Sequence, residues 1–144
     1  MPRLKAKTFK GETPIHYAAH QGQVGAIKAL KECGADVDRK DDSGWTAMHF
    51  VAGHVDAVKA LVDEGADLEA RASDGVTPMH CAANFGHDDV VKALVAAGAR
   101  VSPEACNGKT PIDMAMDEGF PRVINALKEA GAEHSESRDT CRIG

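Results

Sequence analysis

The chain has 144 residues, is 43% apolar with only one Trp, one Tyr and four Phe, and carries a net charge of −5. No run approaches the roughly 20 apolar residues that span a bilayer, and the basic, polar start from Met1 to Gly11 lacks the apolar core of a secretory signal. Arg3, Lys5, Lys7 and Lys10 contribute +4 and leave −9 for the rest, an acidic balance that disfavours nucleic acid, whose affinity depends on neutralising phosphates with Lys and Arg.

Four segments then recur along the chain. They are Gly11-Glu12-Thr13-Pro14-Ile15-His16, Gly44-Trp45-Thr46-Ala47-Met48-His49, Gly75-Val76-Thr77-Pro78-Met79-His80 and Gly108-Lys109-Thr110-Pro111-Ile112-Asp113. Their glycines stand 33, 31 and 33 residues apart, and a second marker at Gly34-Ala35, Gly65-Ala66, Gly98-Ala99 and Gly131-Ala132 keeps step at 31, 33 and 33. Within a unit, Thr is placed to cap a helix with its hydroxyl, and Pro occupies the first helical position, where its missing N–H costs nothing. Gly22, Gly53, Gly86 and Gly119 end this first helix. A second helix follows with apolar residues at i, i+3, i+4 spacing, as in Ile27 and Leu30, Val58 and Leu61, or Val90, Val91 and Leu94. The glycine at 34, 65, 98 or 131 stops it. A polar stretch rich in Asp and Ser leads to the next unit.

This pattern resembles the ankyrin repeat, a β-turn or hairpin arm and two antiparallel helices in about 33 residues. The family's T-P-L-H-x-A-A core stands here as Thr13-Pro14-Ile15-His16-Tyr17-Ala18-Ala19 and Thr77-Pro78-Met79-His80-Cys81-Ala82-Ala83. The expected fold is an all-α repeat solenoid, a curved stack of four units at 11–43, 44–74, 75–107 and 108–133. Residues 1–10 read as a basic half-arm, and 134–144 as a disordered tail. The second unit is two residues short between His49 and Gly53, so its first helix should be truncated or tightened, and Ala47 replaces the usual Pro. The fourth unit has Asp113 in place of His and a polar second helix, the features of a terminal cap.

No catalytic motif is visible, and no enzyme activity, metal or cofactor is expected. His16, His49 and His80 belong to different stacked units, too far apart to share a zinc ion; the resemblance implies that they hydrogen-bond at the turns between units. Adjacent acids such as Asp41-Asp42, Asp63-Glu64 and Asp88-Asp89 read as solvated charge. Cys33, Cys81, Cys106 and Cys141 form no C-x-x-C pair and suggest reduced thiols in the cytosol or nucleus. Cys141-Arg142-Ile143-Gly144 has the outline of a prenylation box, but terminal Gly is not a usual acceptor.

The resemblance implies a monomeric, non-catalytic protein that binds a protein partner on its concave face, as adaptor, scaffold or inhibitor. The alternative is a targeting or regulatory module of a larger complex whose activity lies on another chain. Carried over from the family, the contact positions are Lys10 and Glu12, Ser43 and Trp45, Asp74 and Val76, Asn84 and Phe85, and Asn107 and Lys109. Trp45 is the first candidate, since Trp is enriched at binding hot spots, with packing on a neighbouring arm as the competing role. If recognition is its role, Trp45→Ala should leave thermal unfolding nearly intact. Acids at 36, 38, 41, 42, 67, 69 and 74 favour a partner with a basic segment.

Overall fold

A computed structural model describes residues 11–132 with the exception of Ala52. Lys10, the expected half-arm and the expected tail lie outside the described residues. The elements run α1 (Pro14–Gln21), α2 (Val24–Glu32), a 3-10 helix (Ala47–Phe50), α3 (Val55–Asp63), α4 (Pro78–Asn84), α5 (Asp88–Ala96), α6 (Pro111–Glu118) and α7 (Pro121–Glu129). There is no strand among the described residues, and no described helix is long and apolar enough to cross a membrane.

Helices of seven to nine residues are too short to hold their shape alone in water, so stacking must supply the stability. An inner layer stacks α1 on the 3-10 helix, that helix on α4, and α4 on α6. An outer layer stacks α2 on α3, α3 on α5, and α5 on α7. Ile15, Met48, Met79 and Ile112, at equivalent positions, are 1–2% exposed and fill the space between the layers. Ala18, Ala19, Ala47, Ala82, Ala83 and Ala115 are buried between neighbouring units, where their small side chains permit close helix approach.

The outer helices end in one repeated motif. Gly34 has φ +99, its N–H reaches the Lys31 carbonyl at 2.9 Å, and the Ala35 N–H reaches that of Leu30 at 2.9 Å. This double closure satisfies carbonyls that the helix end would leave bare. The same pair of bonds recurs after Gly65, Gly98 and Gly131. In the second unit, the missing residues are absorbed by replacing an α-helix with the four-residue 3-10 helix, whose tighter winding tolerates only short runs.

Between units, the arms are tight turns. The Gly44 N–H bonds to the Asp41 carbonyl at 3.0 Å, and the Asp41 N–H bonds to that of Trp45 at 2.9 Å. Each arm rests on the next through one backbone bond, Ser73 N–H to Ser43 C=O at 2.9 Å and Cys106 N–H to Asp74 C=O at 3.0 Å. Gly75 shows what this approach demands: its φ is +80, and a Cβ there would lie 2.8 Å from the Cys106 backbone nitrogen. Gly108 has the same φ of +80 but open space around a Cβ. Gly108→Ala should therefore cost only the left-handed penalty, about 1 kcal/mol, and Gly75→Ala about 2–3 kcal/mol, because backbone must shift as well. Urea unfolding of the two variants compares them directly; equal losses would mean that the arms do not need their close approach.

Candidate partner-binding surface

The site is built on a repeated histidine bridge. The His16 ring nitrogen Nδ1 accepts the Thr13 N–H at 3.0 Å, and Nε2 lies 2.8 Å from the Trp45 carbonyl oxygen of the next unit. His49 repeats this with Thr46 and Val76, and His80 with Thr77 and Lys109. A backbone N–H can only donate and a carbonyl can only accept, so the partners fix the tautomer: Nε2 carries the proton and Nδ1 is bare. The Thr hydroxyl then donates to Nδ1, at 2.9 Å for Thr77. This refines the expected cap. The hydroxyl's short bond is to the ring, while the Thr77 oxygen is 3.5 Å from the His80 N–H. In the fourth unit, the Asp113 carboxylate accepts the Thr110 N–H at 2.9 Å, but a carboxylate has no N–H of its own to offer a carbonyl.

The arm acids are not merely solvated charge. Asp41 Oδ1 accepts the Ser43 N–H at 2.9 Å and the Trp45 N–H at 2.8 Å, which shapes the tip that presents the indole. Asp74 and Asn107 hold their own tips by accepting the N–H of Val76 and Lys109. Asp38 accepts the Asp67 N–H and Glu69 that of Arg100, both at 2.8 Å and both one unit onward. Cations work in the same direction: Lys31 reaches the Glu64 carbonyl, Lys40 that of Arg71, and Arg71 that of Glu104. These side chains staple consecutive units, a role that the sequence reading missed because it counted their charge.

Trp45 is half-buried, and its ring packs within its own unit, 5.2 Å from the Phe50 centroid and 5.5 Å from that of His49. Phe50 also packs against His16 and His20 in T-shaped pairs. Beside these rings, a cleft of about 420 Å³ opens between the second and third units. Trp45, Met48, Phe50 and Val51 line one side; Pro78, Ala82, Phe85 and Val90 line the other; and His20, His49, Cys81 and His87 complete the wall. It lies beside the 3-10 helix, at the unit that lacks two residues.

Of the expected contact residues, the cleft brings together Trp45 and Phe85, the latter 55% exposed. Ser43, Asp74 and Asn107 are exposed at arm tips, and Glu12, Val76 and Asn84 are half-buried. Lys109 pairs with Asp117, and that carboxylate raises the affinity of its amine for the proton. Phe50, His20 and His87 were missed as lining residues; the signal was the shortened spacing from His49 to Gly53.

Burial is the main cause that lowers the pKa of His49 and of His80 below the ordinary histidine value, against an opposing pull from the carbonyls of Val76 and Lys109. The unfolded chain therefore binds more protons than the folded one as pH falls below about 6.5. Stability should be fully present above that pH and should fall as the solution passes down through the lowered values. His80→Ala should cost about 2–3 kcal/mol at neutral pH, by leaving the Thr77 N–H and the Lys109 carbonyl unmatched, and should flatten the acid decline. Thermal midpoints of both proteins across this range test it; parallel pH profiles would mean that His80 does not carry the acid sensitivity. Trp45→Ala should also lower the midpoint, by about 1–2 kcal/mol of lost ring packing, which replaces the expectation of nearly intact unfolding.

The family profile described as Ankyrin repeats (3 copies) matches residues 2–72 and 52–138. No curated protein matches the chain significantly. Ankyrin repeats are generally protein–protein interaction modules, and the family is typically non-catalytic. With nearly the whole sequence matched and a stack of helix pairs joined by turn arms, the chain belongs to the ankyrin-repeat family.

Proposed function

We propose that this protein is a non-catalytic module that holds one protein partner against its arm tips and inner helices, with the cleft between the second and third units at the centre. The cleft carries the reading: it places Trp45, Phe50 and Phe85 on one accessible apolar surface, and aromatic anchors dominate the energetics of binding surfaces. Around it, Asp41, Asp42 and Asp74 leave the second and third arms acidic. That balance favours a partner segment carrying Lys or Arg and speeds its approach. The module acts as a monomer and needs no cofactor.

A photocrosslinking residue placed at Phe85 or at Asn107 should capture the partner in native extract, whereas the same residue at the exposed outer-helix position Lys59 should not. Trp45→Ala in the Phe85 background should lower the yield severalfold. Association should slow about tenfold or more between low and high salt. Capture from Lys59 with none from Phe85 and Asn107 would put the binding surface on the other layer and overturn the reading.

A further inference from the structure

Resting on that reading, we propose that the cleft is an anchor pocket for one neutral, bulky apolar side chain of the partner, aromatic or branched aliphatic, and that it rejects cationic side chains even though the surrounding arms favour a basic segment. Its volume of about 420 Å³ falls within the roughly 300–1,000 Å³ of small-ligand sites. That is room for one large side chain and part of its backbone.

The wall decides the chemistry. It contains no carboxylate; its polar side-chain groups are the Trp45 indole N–H, His20, His49, Cys81 and His87. His49 has both ring nitrogens engaged, by Thr46 and by the Val76 carbonyl. The Cys81 thiol is pushed up to about 12 by burial and offers no thiolate. His87 is held toward its neutral form by desolvation and then by the nearby His54, against the pull of Asp88. A cation entering here would give up its hydration and meet no carboxylate in the wall; Asp41 and Asp74, whose charges reach His49 and Cys81 from outside it, already hold the arm-tip N–H groups of Trp45 and Val76. Within the wall, attraction to the ring faces would be its return, and the faces of Trp45 and Phe50 are partly turned to each other and to His49. An apolar group meets no such penalty, because Met48, Val51, Ala82 and Val90 complete the lining. Division of labour follows: acids on the arms attract a basic segment, and the cleft selects the apolar residue within it.

Trp45 is the only tryptophan in the chain, so its emission reports on the cleft directly. The probes are N-acetyl-phenylalaninamide, N-acetyl-leucinamide and N-acetyl-argininamide, titrated into the full chain while Trp45 emission and the Met48 methyl resonance are followed. The two apolar amides should saturate with Kd on the order of 1 mM, and the arginine amide should bind at least tenfold more weakly. Ala82→Leu should fill the cleft and abolish the response. If that variant does not fold, Phe85→Ala at the exposed edge should weaken the apolar amides severalfold. Arginine amide binding as tightly as the phenylalanine amide, or no saturable response to either apolar amide, would overturn the proposal. Crosslinking from Phe85 or Asn107 that persists alongside such a result would leave the protein-binding reading standing, so the two can fail separately.

Discussion

The imidazole bridge between units is the constraint on which the rest of the structure depends. Each ring is held by the Thr three residues before it and by a carbonyl 27 or 29 residues ahead. Its two bonds have opposite polarity, so one tautomer fits and each inner helix is tied to the next arm. Nearly every other side-chain bond between distant residues also steps one unit, as from Lys31 to Glu64 or Asp38 to Asp67. Among the described residues, an array tied in this way is governed by nearest-neighbour interactions. The two residues that the second unit lacks fall between His49 and Gly53, so its bridge closes over 27 residues where the others span 29. The inner helix of that unit is 3-10, and the cleft lies beside it.

This explains which parts were legible in the sequence. The period, the two helices and their glycine stops follow from local rules: Pro at N1, glycine in the left-handed region after Ala97 or Ala130, and apolar spacing on a nine-residue helix. A deletion of two residues was equally plain. The cleft beside it was not, because a cavity depends on how Phe50, Phe85 and Val90 fill space between units, and no local rule encodes that. The expected contact residues were chosen by position on the arm, so Trp45 and Phe85 were found and Phe50 and His87 were not.

The acids show a second limit. Sequence displays Asp41, Asp67 and Glu69 as charge, and charge near turns is ordinarily solvated. The fold instead uses one oxygen of each to hold a backbone N–H. Their charge remains and gives the arms their negative field, but their positions are set by folding. Removing one would test structure and electrostatics at once. Salt, which screens the field at distances beyond about 10 Å at 0.1 M and leaves short hydrogen bonds largely intact, separates the two roles more cleanly than mutation does.

Under the proposed reading, stability and recognition also meet in the cleft. Its floor is the 3-10 helix, with four residues where α1 and α6 have eight, so the second unit has the least helix to bury. In an array governed by neighbouring contacts, a weak interface limits cooperativity along the whole stack. An occupant touching both Phe50 and Phe85 would bridge that interface from outside. It would stabilise the folded array by mass action, about 2.7 kcal/mol at a free concentration one hundred times its Kd. Under the proposed reading, the shortened unit is a local defect that a partner seated in the cleft would repair, and binding there would raise the stability of that interface.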